Sequence, residues 1–281
     1  MKILVTGARG MLGRTLLRRL TEHQVSGTDL PDLDLTDAIA VEGLVKAQQP
    51  DAVIHCAAMT AVDACETARD QAFAVNALGS ANLARACHLH GARLIAISTD
   101  YVFAGNLDRP YHEWDEATPR TIYGQSKLAG EQAIAQHCPD HTILRIAWLY
   151  GPGGPSFVHT MLKLGQQDGD PLRVVDDQIG NPTSTDAVAD LLLRILQKPI
   201  PGIVHGTCEG EVSWCGFTRE IFRLRGLRRG VAACTTSEYP RPAPRPANSR
   251  LEKRALRLAG FPLMPTWQET LARFFREHSH G

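Results

Sequence analysis

Two tyrosines stand among hydroxyl side chains in this sequence, and only one has a lysine four residues on. Tyr101 closes the run Ser98-Thr99-Asp100-Tyr101, and Tyr123 opens Tyr123-Gly124-Gln125-Ser126-Lys127. On a helix Tyr123 and Lys127 share a face, about one turn apart. A free phenol titrates near pH ~10, too high for easy proton exchange at neutrality. A neighbouring ammonium favours the phenolate and suits the phenol to acid–base work. Tyr101 lacks such a lysine and is expected to pack or to line a pocket. Tyr123 is therefore the candidate acid. Thr99, at the end of an apolar run, is the hydroxyl expected to orient a substrate oxygen, with Ser98 nearer a cofactor or the backbone.

A YxxxK spacing is common by chance, and its weight comes from what precedes it. Gly7, Gly10 and Gly13 form a GxxGxxG between the apolar run Lys2–Gly7 and a stretch with apolar residues at Leu12, Leu16, Leu17 and Leu20. In a strand–turn–helix, such glycines allow a tight turn, a close approach of backbone to a pyrophosphate, and close helix–strand packing. Asp29 ends the next apolar stretch, where a carboxylate bonds the adenosine ribose and favours NADH; Arg9 pulls towards the 2′-phosphate of NADPH. Either cofactor is expected. Asp34 and Leu35 fall beside the adenine, Asp37 reads as a helix N-cap, and Ala57 and Ala58 are small enough for a cofactor to lie against the main chain.

These residues need a frame to position them. Short apolar runs at 2–7, 24–30, 51–58, 92–99 and 141–151 alternate with helical patterns at 11–23, 37–48, 67–89 and from about Gly124. That rhythm predicts an α/β fold, a Rossmann-type doubly wound parallel sheet. Residues 1–150 form the expected dinucleotide-binding domain, rejoined by a segment near 182–205. Residues 151–281 form mainly a smaller α/β substrate-binding domain, with helices at 185–198, 215–226 and 250–259. The rigid, arginine-flanked run of four alternating prolines between Tyr239 and Arg250 is expected to be a substrate-site loop.

Composition narrows the class. Thirty basic residues balance thirty acidic ones in 281 residues, which argues against nucleic-acid or membrane-surface binding. No apolar run approaches the ~20 residues of a membrane span, and the first residues read as a strand rather than a signal. Seven cysteines without a CxxC fit reduced thiols in the cytoplasm. The histidines form no metal-binding spacing, so no metal is expected, and His278–Gly281 reads as a frayed tail.

In this order, the glycine motif, Ser98-Thr99 and YxxxK resemble the extended short-chain dehydrogenase/reductases acting on nucleotide sugars. The blocks STDYVFAG (98–105), YGQSKLAGE (123–131), RIAWLYG (145–151), VVDDQIGNPT (174–183) and RPANSRL (245–251) are similar to the dTDP-4-dehydrorhamnose reductase family, over nearly the whole chain. The resemblance implies NADPH- or NADH-dependent reduction of the C4 ketone of dTDP-4-dehydro-L-rhamnose to dTDP-L-rhamnose. It implies Tyr123 as proton donor, with Lys127 lowering its pKa and binding ribose. Thr99 and Asp100 would contact the sugar and Trp148 would line its site. Met11, Leu12, Asp29, Asp34, Leu35, Ala58, Met59 and Thr60 would lie against the cofactor. Tyr101 stands where the related 4,6-dehydratases resemble one another in carrying a glutamate base, so dehydration is not expected. Thr15 stands where some members carry a glutamate ligand for a metal between subunits, which leaves a homodimer without that bridge. An epimerase or reductase of another nucleotide sugar, and a non-catalytic regulatory subunit, stay open as alternatives.

Overall fold

The computed structural model describes residues 1–278; the last three residues of the run read as a tail lie outside it. Chain order begins β1 (Lys2–Thr6), α1 (Met11–Arg19), β2 (Gln24–Thr28), α2 (Ala38–Gln48), β3 (Ala52–His55), α3 (Val62–Thr67), α4 (Arg69–Phe73), α5 (Gly79–Leu89), β4 (Arg93–Thr99), α6 (Ile122–His137) and β5 (His141–Ile146). It continues β6 (Leu149–Tyr150), α7 (Phe157–Gly165), β7 (Leu172–Val175), β8 (Ile179–Gly180), β9 (Thr183–Ser184), α8 (Thr185–Gln197) and β10 (Gly202–His205). The last elements are β11 (Val212–Ser213), α9 (Trp214–Arg225), β12 (Val231–Cys234), β13 (Asn248–Ser249), α10 (Arg254–Leu258) and α11 (Trp267–Glu277).

The main sheet has the order β2-β1-β3-β4-β5-β10, and every pairing in it is parallel. Parallel sheets need cover on both faces, and the strand residues supply it by alternation. Ile3, Val5, Ile54 and Ile95 face one core with Leu12 and Leu16 of α1 and Val188 and Leu192 of α8. Leu4, Val53 and Leu94 face the other with Val41, Val45, Leu83 and Ile134. The chain leaves β1 in one direction to β2 and returns on the other side as β3. That reversal opens a crevice at the carboxyl ends of the strands, where α/β sheets bind ligands. The later chain adds the pairs β7–β12 and β6–β9 and the three-stranded set β11-β8-β13.

The structure departs from the periodicity in three places. The helical pattern over 67–89 is three pieces, α4 and α5 joined by a π-helical turn, Ala74–Leu78. The wider turn accommodates Asn76, whose amide bonds the main chain of Met59 on both sides, at 2.8 and 3.1 Å, and Ser126 Oγ at 2.9 Å. The apolar run over 141–151 is two strands, broken at Ala147–Trp148, where Trp148 takes φ +48°. The first helix stops at Arg19 rather than running to residue 23.

A buried ion pair joins the elements beneath the crevice. Arg145 on β5 and Glu131 on α6 are 2% and 4% exposed, and two guanidinium nitrogens donate to the two carboxylate oxygens at 2.9 and 2.5 Å. Ser98 on β4 donates to the same carboxylate at 2.5 Å. Removing one partner leaves a buried charge uncompensated. Arg145→Ala should cost about 3–5 kcal/mol of stability, read as a lower midpoint in urea unfolding. The double change Glu131→Leu with Arg145→Met should recover most of that loss.

Candidate active site

A cavity of about 520 Å³ fills the crevice. Its wall takes Gly7, Gly10, Met11, Leu12 and Gly13 from the β1–α1 turn, and Asp29, Asp34 and Leu35 from the segment after β2. Ala57, Ala58 and Thr60 come from the end of β3, Ser98, Thr99 and Asp100 from the end of β4, Tyr123 and Lys127 from α6, and Trp148 from the break after β5. Met59 is the one expected site residue that is not on the wall. Asn76 clamps its main chain, and its side chain packs with Cys65 and Ala72 beside Tyr123.

The turn is shaped for a dinucleotide. Gly7 has φ +68°, and a Cβ there would sit 2.5 Å from the Ala57 nitrogen; one on Gly13 would collide with the Gly7 carbonyl oxygen. Gly10 caps α1 with no side-chain bond, and no acidic residue stands in the first turn. The free N–H groups and positive dipole end of α1 therefore face the cavity, which is what a pyrophosphate requires. Asp29 is pinned by the amides of Arg9 and Leu30, each at 2.9 Å. The Arg9 guanidinium donates to the Leu30 carbonyl and, at 2.7 Å, to Asp32. Amide and hydroxyl bonds from Thr36 hold Asp34 below the usual carboxylate range. Asp37 caps α2, accepting from Ile39 and Ala40 at 3.0 Å.

The residues after β4 and on α6 form the chemical end. Thr99 donates to Asp100 at 3.1 Å and accepts from the Tyr101 nitrogen at 3.2 Å, on the same wall as Tyr123. Ser98 is on the wall, but its hydroxyl is committed to Glu131. Lys127 donates to the Ile97 carbonyl at 2.8 Å; burial lowers it to about 8, against the pull of Glu131. The Tyr123 phenol is pushed well above its ordinary value by burial, with the nearby Thr99 hydroxyl acting the other way. The lowering by Lys127 expected from the spacing does not dominate here: desolvation does, and the phenol keeps its proton through neutrality. Burial also raises Asp100 to about 6, against the bond from Thr99. Tyr101 meets Tyr123 edge-on at 5.5 Å, presenting a ring and no carboxylate.

Trp148 holds its left-handed backbone because its indole is fixed from two sides. It stacks on Trp214 with centroids 3.4 Å apart and planes 6° apart, while a Cβ on Gly180 would strike the same ring. A second cavity of about 440 Å³ shares Asp100, Tyr101 and Trp148 with the first and adds Trp214, Arg241, Arg245 and Ser249. The sequence reading did not single out Asn76, Glu131, Arg145 or Trp214 for the site. Asn76 and Glu131 did carry a signal, as polar residues on the buried faces of helical patterns. Thr15 is buried, bonded to Met11 and to Thr185 between α1 and α8.

The family model "RmlD substrate binding domain" matches residues 1–280. The chain is 43% identical to the dTDP-4-dehydrorhamnose reductase of Streptomyces griseus, over 97% of this chain and 92% of that one. The chain belongs to this family. It is thereby an NAD(P)-dependent oxidoreductase. A dTDP-4-dehydrorhamnose reductase of Clostridium acetobutylicum superposes with TM-score 0.97 at 44% identity, covering 99% of this chain and 100% of the other. The Bacillus anthracis enzyme, solved in complex with NADP, does so with TM-score 0.96 at 38% identity over 98% and 99%. A dTDP-4-keto-6-deoxy-D-glucose reductase of Streptomyces niveus is 39% identical over 97% of this chain and 96% of its own.

Asp100 has a consequence for stability. Its carboxyl moves from 3.8 to about 6 on folding, so the folded state binds the proton more tightly. That contribution is present below the unfolded value and is lost as pH rises through the folded one. At pH 7.5 the ionised group costs about 2–3 kcal/mol, at ~1.4 kcal/mol per unit. Asp100→Asn should therefore raise the melting temperature at neutral pH, by less as pH falls towards 4, while lowering kcat/KM.

Proposed function

We propose that this chain reduces the C4 ketone of dTDP-4-dehydro-L-rhamnose to dTDP-L-rhamnose with NADPH or NADH, Tyr123 giving the proton. The observation that carries the reading is the Thr99–Tyr123–Lys127 set, buried on the wall of a dinucleotide-shaped cavity that shares Asp100, Tyr101 and Trp148 with a second cavity large enough for the rest of a nucleotide sugar.

Reduced nicotinamide, when bound, supplies the hydride to the ketone carbon. As negative charge develops on the C4 oxygen, Tyr123 delivers its phenolic proton there. A phenol held above its ordinary value is fully protonated beforehand, and an alkoxide is a strong enough base to take the proton. Lys127, as an ammonium in a buried site, stabilises the phenolate that is left. Thr99, on the same wall as Tyr123, orients the C4 oxygen, and Asp100 faces the sugar hydroxyls as an acceptor. Gly7, Gly10 and the open first turn of α1 hold the pyrophosphate, and Asp29 and Asp34 meet the adenosine end. The reaction belongs in the cytoplasm, with reduced nicotinamide and activated sugar; none of the described helices is long and apolar enough to cross a membrane.

The Streptomyces niveus relative favours one second reading, a different 4-keto-6-deoxy sugar on the same nucleotide. A purely regulatory subunit would not need to keep Thr99, Tyr123 and Lys127 together. NADPH oxidation with dTDP-4-dehydro-L-rhamnose, with the product identified by mass and NMR, separates these: turnover of another keto sugar alone would move the assignment.

Tyr123→Phe should lower kcat by about 10²–10⁴ with cofactor affinity nearly unchanged; normal turnover would remove Tyr123 from its role. With Lys127 at about 8, the ammonium is lost as pH rises through that value. The kcat/KM of the wild type should fall on that alkaline limb, measured at saturating cofactor.

A further inference from the structure

The adenosine end of the first cavity sets one cation among several carboxylates. Arg9 is the only basic residue of the β1–α1 turn, and the segment 29–37 has none, against Asp29, Asp32, Asp34 and Asp37. A phosphate bound there would face like charges and would depend on Arg9 for its counter-charge. What Arg9 bonds in the structure therefore bears on cofactor choice.

Arg9 is already engaged. Its main-chain nitrogen donates to Asp29 Oδ2 at 2.9 Å, and its side chain turns back over the same segment. Nη1 donates to the Leu30 carbonyl at 2.6 Å and Nη2 to Asp32 Oδ2 at 2.7 Å. The cavity wall takes Asp29, Leu30, Leu33 and Asp34, but neither Arg9 nor Asp32. Asp32 stands in a turn that its own nitrogen closes on the Asp29 carbonyl at 2.8 Å. The Arg9 and Asp32 side chains are 55% and 62% exposed, so their attraction is weak enough for a phosphate to break. Asp29, on the wall, accepts one amide on each oxygen and keeps lone pairs for two ribose hydroxyls.

We propose that Asp32 sets cofactor choice as the positioning residue of Arg9. It holds the guanidinium off the cavity, so the site at rest reads an adenosine ribose with both hydroxyls free, through Asp29, and prefers NADH. NADPH binds by breaking the Arg9–Asp32 pair, its 2′-phosphate drawing the guanidinium inward while it lies beside Asp29. Selectivity is then a competition for one guanidinium, graded rather than absolute. This rests on the placement of the adenosine ribose at Asp29.

The test measures NADH and NADPH binding by calorimetry, a readout that needs no turnover. The wild type should bind NADH the more tightly. In Asp32→Asn the dissociation constant of NADPH should fall about two- to fivefold, the strength of one exposed ion pair, and that of NADH should not move. Arg9→Ala should weaken NADPH and spare NADH, and in that background Asp32→Asn should give little further gain. An equal change for both cofactors in Asp32→Asn would make Asp32 merely a turn residue and overturn the assignment. So would a wild type that prefers NADPH. A gain from Asp32→Asn that persists in full without Arg9 would overturn it too, because Asp32 would then act by repulsion alone. Asp29→Asn should weaken NADH; unchanged NADH binding in that variant would remove the ribose placement, and the assignment with it.

Discussion

The buried pair of Glu131 and Arg145 fixes the relation between three elements that carry the chemistry. Ser98, bonded to Glu131, precedes Thr99 and Asp100. Glu131 follows Lys127 by one helical turn. Arg145 precedes Trp148 by three residues. Two charges so deep in a protein contribute little net stability, because desolvation offsets their attraction. Their value lies in selectivity: any slip of α6 against β4 and β5 leaves a charge unpaired where water cannot reach it. Phe103 covers the guanidinium at 5.0 Å, closing the pair from the side of the later chain.

The same dryness sets the ionisation of the site. Burial pushes Asp100 up to about 6 and Lys127 down to about 8, and raises Tyr123 further. Each shift disfavours the charged form of its group. A site with this balance gains when a bound substrate supplies the missing counter-charges and hydrogen bonds, and it stays under electrostatic strain without them. His55, beneath Lys127, shows the other side of this. Bonded to Thr6 at 2.7 Å and Ser80 at 3.1 Å, it is lowered by burial to about 3 and stays neutral, adding no positive charge.

Most of the cavity wall was legible because its signals are local. A glycine turn between a strand and a helix, a small-residue strand end and a tyrosine–lysine pair at helical spacing each specify their own geometry. What was not legible depends on partners far along the chain. Nothing in the helical pattern of 67–89 reveals that Asn76 must bond Met59 and Ser126, so the π turn is invisible until those residues meet. The run from His141 to Gly151 is apolar enough for one strand. It breaks at Trp148 because the indole finds Trp214 and the space over Gly180, and neither is nearby in sequence. Met59 sits off the wall for the same reason, since its neighbours lie on the wall while Asn76 bonds its main chain and its side chain packs with Cys65 and Ala72.

Each of the five sequence blocks that carry the family likeness makes a tie to another block, which explains why they travel together. The block 174–183 supplies Gly180 beneath Trp148 of the block 145–151. Its Asn181 accepts from the Leu251 nitrogen at 2.8 Å, at the end of the block 245–251. That block lays Pro246 on Gly105 in the block 98–105, whose Ser98 bonds Glu131 of the block 123–131. Arg145 closes the ring on Glu131. The second cavity is thus bounded by the same circuit that holds β4, β5 and α6 at the wall of the first, with Asp100, Tyr101 and Trp148 common to both.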